Sequence, residues 1–171
     1  KYTTNYKFLT ASLAMINLEE PTAVAAKTEQ RTRYSAIVSV HPTDDLEYVL
    51  HHHYAYQEDG KVGGGTARWY GIDQYLYYRL HQKVKAGLRF EWFRDEAGTR
   101  VGGSPDRGNP NLAPFAGSFY SLTGGVNYYA HSNITIRPEI RYDWFTGGRN
   151  PYNDGHNDNQ LLVAINVYLQ F

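Results

Sequence analysis

The chain contains no cysteine, which excludes a disulfide framework and any thiolate metal site. It has a single methionine, and no apolar run approaches the roughly 18 residues that a membrane-spanning helix needs. A basic stretch followed by an apolar one is missing from its start, so an exported protein would carry its leader outside these residues or have lost it. Net charge is missing too. The 17 basic and 17 acidic side chains are interspersed, which argues against a polyanion-binding protein with its basic stripe, so no nucleic-acid partner is expected. Aromatics, in contrast, are abundant. Sixteen tyrosines, seven phenylalanines and three tryptophans occur in 171 residues, yet mean hydropathy is only −0.58. A chain of this length fits one domain and can bury a core.

The dominant period is two. In the segment ITIRPEIRYDW, Ile134, Ile136, Pro138, Ile140, Tyr142 and Trp144 share one face, and Thr135, Arg137, Glu139, Arg141 and Asp143 the other. A helix would scatter those charges around its circumference, whereas a strand sorts them. VKAGLRFEW sets Val84, Ala86, Leu88, Phe90 and Trp92 against Lys85, Gly87, Arg89 and Glu91. LEYVLHHHYAY and RWYGIDQYLYYRL behave alike, with Glu47, His51 and His53, then Asp73 and Arg79, on the more polar side. RYSAIVSV (carrying Arg33) and FYSLTGGVNYYA follow the pattern more loosely, and the facing of residues 5–18 is ambiguous. About eight strands are predicted.

The connections alternate in kind. Short ones fall at 41–45, 81–83 and 131–133, each opened by a histidine; long ones fall at 19–29, 57–65, 96–117 and 146–159. A hairpin unit repeats, with aromatics closing its second strand, which reads as a meander. Short turns at one end and long loops at the other suit an all-β, antiparallel, up-and-down transmembrane β-barrel. Ten-residue strands match a tilted crossing of the hydrocarbon layer, and aromatics near strand ends match interfacial girdles. An even strand count would put both chain ends on the periplasmic side. A soluble barrel with its apolar face turned inward shows the same period, so facing has to come from elsewhere.

The closing segment LLVAINVYLQF supplies it. Val167, Leu169 and Phe171 alternate up to the carboxylate, which resembles the C-terminal assembly signal that insertion machinery reads on bacterial outer-membrane proteins. LRFEWFRDEAGTRVGG, FYSLTGGVNYYAHSNITIRPEIRYDWF and NDNQLLVAINVYLQF resemble the closing hairpins of the OmpL-like, or porin-2, β-barrel family. That family has an Arg-Pro-Glu-x-Arg-x-Asp-Trp-like strand before its final strand, here Arg137 to Trp144. The likeness covers about 66–171 well and 30–65 by pattern. It implies a Gram-negative outer-membrane porin passing small hydrophilic solutes or ions, with residues 1–171 forming one barrel domain or the C-terminal part of a larger barrel. The implied partners are the bilayer, the insertion machinery and small solutes, with a homo-oligomer left open.

The expected pore lining is Arg33, Glu47, Asp73, Arg79, Lys85, Arg89, Glu91, Arg137, Glu139, Arg141 and Asp143, with Lys83 and Asp95 beside them. In a wide barrel these set a field for solutes; in a closed eight-stranded barrel they must pair across a filled interior. A non-conducting structural or adhesive barrel, meeting partners through its long loops, is the alternative. His51 and His53 could present two imidazoles to one metal, but the sequence identifies no third ligand. Asp154, His156 and Asp158 are oxygen- and nitrogen-bearing side chains in an ordinary Asn/Asp/Gly turn segment. GKVGGGT lacks the residue order of a phosphate loop. No serine, including Ser35, Ser39, Ser104, Ser118 and Ser121, stands in a nucleophile motif, and no carboxylate pair is marked for acid–base work. Neither enzyme activity nor a cofactor or metal is therefore expected.

Overall fold

A computed structural model of the chain describes residues 2–6, 8–21, 27–61, 64–101 and 115–171, with side chains from residue 8 onward. Most of the 96–117 connection, Ser104, and parts of the 19–29 and 57–65 connections lie outside these residues. Eight long strands follow one another: β2 (Leu9–Pro21), β3 (Thr28–Val40), β4 (Leu46–Gln57), β5 (Ala67–His81), β6 (Val84–Asp95), β7 (Gly117–His131), β8 (Ile134–Gly147) and β9 (Asn159–Leu169). A short β1 (Tyr2–Tyr6) precedes them. Each pairs antiparallel with the next, in the sheet order β1 through β9. Among the described residues β1 and β9 are the two edges.

β1 is the element that the sequence pattern missed. It folds back along β2, with Tyr6 opposite Leu9 and Tyr2 opposite Leu13. The eight long strands alone begin and end at the short-turn side, where Gln170 donates its backbone N–H to the Asn133 carbonyl.

The short turns repeat as the histidines imply. Arg79 faces Lys85 while His81 faces Val84, so the register slips by one residue before the turn. Tyr129/Thr135 and His131/Ile134 show the same slip. A bulge of this kind adds local twist where a strand reverses. Lys83 lies in the first of these turns, so it is not a wall residue of β6 as expected. Pro138 lies within β8, paired with Ile165 on β9, and the β7–β8 ladder skips Val126 and Asn127 opposite it. Proline brings no N–H to a ladder.

Which face is outside follows from exposure. Val163 and Ile165 are 77 % and 68 % exposed, whereas Asp143 on the opposite face is 4 % exposed. Contacts across the sheet agree. Lys85 Nζ on β6 reaches Glu47 Oε2 on β4 at 3.2 Å, passing over β5. Strands two apart stand about 9.6 Å from each other in a flat sheet. Charged side chains that lean toward each other across this gap suit a sheet that curls around the charged face. The apolar face is convex, as in a barrel that meets lipid.

Aromatic rings mark the limits of that convex face. Tyr34 stacks on Tyr54 at 5.7 Å, Tyr54 on Tyr70 at 6.0 Å, and Tyr70 meets Trp92 edge-on at 5.7 Å. Tyr120 and Trp144 continue the belt, their rings 5.1 Å apart and nearly parallel. Each such pair contributes about 0.5–1.5 kcal/mol beyond its buried area. Tyr78 and Tyr128 lie toward the short-turn end. Ile136 to Trp144 spans about 26 Å of strand at roughly 3.3 Å per residue, of which a tilt near 40° leaves about 20 Å along the membrane normal.

Candidate functional site

The ladder registers arrange the concave face into rungs. One rung runs His51, Asp73, Glu91, Ser121, Asp143 and Gln160, each opposite the next on the neighbouring strand. The rung beside it, toward the short turns, runs Val49, Tyr75, Arg89, Thr123, Arg141 and Leu162. The first holds three carboxylates and the second two guanidinium groups. Sequence alternation puts charge on one face; the register sorts that charge by sign.

The two rungs neutralise each other, along the strands and across one diagonal. Arg89 Nε stands 3.2 Å from Glu91 Oε2, and Arg141 Nη1 stands 3.6 Å from the same oxygen. Arg141 Nε donates to Asp143 Oδ1 at 2.6 Å, and Gln160 Nε2 donates to Asp143 Oδ2 at 2.8 Å. Serine and threonine on β7 leave room for these long side chains to meet above them. Arg89 also reaches Thr123 Oγ1 at 3.4 Å.

The remaining predicted residues divide. Glu47 takes Lys85 at 3.2 Å and lies 3.6 Å from His41, and Lys85 sits 4.6 Å above the Tyr77 ring. Arg137 donates to the Tyr168 hydroxyl at 2.9 Å. Arg79 points to the rim, 3.8 Å from Asp45 in the short turn, and contributes little to the wall. Glu139 lines a hollow with Arg89 and Arg137, and Arg33 lines another with Arg31 and Arg100.

Toward the long loops the concave face changes character, which the sequence pattern did not announce. Phe93, Phe119 and Phe145 face inward there, with Phe119 and Phe145 4.5 Å apart. Gly117 and Gly147 make room for the Phe145 ring, since a methyl group at either would fall within 2.3 Å of it. Beside this apolar patch the start of the β6–β7 connection folds back against Trp69, which packs with Phe93. Asp95 is fully buried and accepts the backbone N–H groups of Thr99 (3.0 Å), Arg100 (2.6 Å) and Val101 (3.2 Å). Arg100 then lies 3.9 Å over the Trp69 ring and donates to Gln57 Oε1 at 2.7 Å. Burial pulls its guanidinium below the ordinary value, though an arginine keeps its charge. Arg31 shares Gln57 Oε1 at 2.9 Å and pairs with Glu20. A cavity of about 280 Å³ opens among Glu20, Arg31, Arg33, Trp69 and Arg100.

One further group joins the acidic rung. His51 Nδ1 and Asp73 Oδ2 are 2.8 Å apart, His53 Nδ1 is 3.9 Å from the same oxygen, and Ser35 Oγ is 2.9 Å from His51 Nε2. The third donor missing from the sequence pattern is Asp73, directly opposite His51 on β5. Among the described residues this is the one cluster of three such side chains able to share a cation; Asp154, His156 and Asp158 form none. Ser35, His51 and Asp73 also line up as a nucleophile, a base and an orienting acid would. The amides around Ser35 lie within the β2–β3 and β3–β4 pairings, however, so the strand offers no free donors for an oxyanion.

Against known proteins, the model of the beta-barrel porin-2, OmpL-like family matches residues 1–171. The match takes in β1 to β4 as well as the closing hairpins from which the likeness was first read. No curated protein and no solved structure matches the chain.

Proposed function

The chain belongs to the OmpL-like beta-barrel porin-2 family, and on that basis we propose that it forms the wall of a bacterial outer-membrane pore for passive diffusion of small hydrophilic solutes and ions. The observation that carries this reading is the curl of the sheet around its charged face, with Arg141 meeting Glu91 across β7 and Lys85 meeting Glu47 across β5. Polar side chains on a concave wall, backed by an apolar convex face, fit a water-filled lumen in lipid. No catalytic step is assigned to the wall.

Unpaired sheet edges are not tolerated in hydrocarbon. The edges at β1 and β9 therefore pair in the membrane, with each other, with further strands or with a second copy of the chain. Residues 1–171 act as a single domain in each case. Strand number sets the bore: about eight strands close on a filled interior, and more leave an aqueous path. Asp95 and the loop it anchors narrow the outer mouth. Val167 and Leu169 lie on the lipid face and, with Phe171, form the signal that the insertion machinery reads.

Liposome swelling tests the reading. Vesicles containing the folded protein should swell in isosmotic small sugars and amino acids, more slowly as solute size increases. Vesicles that hold the folded, inserted protein and do not swell would favour the closed structural barrel instead.

A further inference from the structure

We propose that His51, His53 and Asp73 form a binding site for a divalent transition cation of the zinc type on the concave wall. Two ligands held at about 2.0–2.1 Å in tetrahedral geometry stand roughly 3.3 Å apart. The observed 2.8 Å from His51 Nδ1 to Asp73 Oδ2 and 3.9 Å from His53 Nδ1 to that oxygen bracket this spacing. All three ligand atoms lie within 4.8 Å of one another, so small side-chain shifts complete a three-ligand set with an open position for water.

Two independent features point to a ligand. His53 Nδ1 is buried and has no hydrogen-bond partner, because its carboxylate neighbour is too distant to accept from it. Such an orphaned polar atom is costly unless something else fills the gap. Gly71, opposite His53, supports the imidazole's position: a methyl group there would stand 2.9 Å from ring atoms Cε1 and Nε2. The far nitrogen of His51 meets Ser35 Oγ at 2.9 Å. Without a metal, Nδ1–H donates to Asp73 and Nε2 accepts from the hydroxyl; with a metal in place of the Nδ1 proton, Nε2–H would donate to Ser35 Oγ, the outer-shell support that ligating histidines usually have. Two imidazoles and one carboxylate favour zinc, nickel or copper over magnesium or calcium, which take all-oxygen shells. The site depends on the folded wall and not on conduction.

Isothermal titration of the tag-free, detergent-folded protein with zinc chloride, and separately with magnesium chloride, tests the proposal. One zinc should bind per chain and magnesium should not compete. H53A and D73N should each weaken zinc at least about 10-fold, and S35A about 10-fold or more. His52 faces the convex side beside Tyr34, so H52A should bind like the parent. Folding of each variant is checked by heat-modifiable migration. If H53A does not fold, cobalt absorption bands that persist unchanged in D73N would overturn the site. Zinc binding that survives both H53A and D73N, or no zinc binding at all, would do the same.

Discussion

Arg141 on β8 comes within 3.6 Å of Glu91 on β6, passing over the small side chains of β7 to do so. The same guanidinium holds Asp143 on its own strand at 2.6 Å. One cation thus ties together two members of an acidic rung.

Replacing Arg141 by glutamine should loosen that tie. Arg141 is about one-third exposed in its side chain, so solvent screens part of the effect and the expected loss is about 1–2 kcal/mol. Urea unfolding of the vesicle-inserted barrel, followed by tryptophan fluorescence, measures it. An unchanged midpoint would show that the Arg141 pairs are incidental.

Outward facing makes a sharper claim. Ile140 and Ile165 are 52 % and 68 % exposed on the convex side. Arginine at either position should cost about 2–4 kcal/mol in a bilayer if the site lies near its midplane. Arginine at Ala164, on the concave face opposite Glu139, should be better tolerated. Equal penalties at the convex and concave positions would contradict the facing.

Much of this architecture was legible in the sequence because strand period needs no partner. Charged and apolar residues of β6 and β8 separate by parity alone, and the short turns at His81 and His131 recur by eye. Register was not legible. Long connections between β4 and β5, or β6 and β7, leave the cross-strand neighbour of His51 undetermined, so Asp73 could be placed on the right face but not beside a histidine. Parity put Phe93 and Phe145 on the face of Glu91 and Asp143, but a polar-lined wall gave no reason to expect aromatics gathered there at the mouth. β1 was missed because Tyr2–Tyr6 is too short and too polar to declare a facing.

Asp95 offers a test of the mouth. Its carboxylate satisfies three backbone N–H groups of the following loop, and alanine should release the segment from Glu96 to Val101. Limited proteolysis should then cut near Arg100 faster than in the parent protein, and open-pore conductance should rise. Unchanged protection would mean that Arg100 over Trp69 holds the loop without help from Asp95.

Deleting Phe171, or replacing it with aspartate, should sharply reduce assembly in the outer membrane of cells. The stability of the same variant refolded in detergent should change little. Normal assembly without Phe171 would show that the alternation of Val167, Leu169 and Phe171 serves lipid contact only.

Planar-bilayer recording tests the central claim most directly. Steady ohmic currents from single insertions, with conductance or ion selectivity altered when Arg89, Arg137 or Arg141 is neutralised, are the predicted result. Folded protein that inserts into the bilayer and passes no current would contradict it.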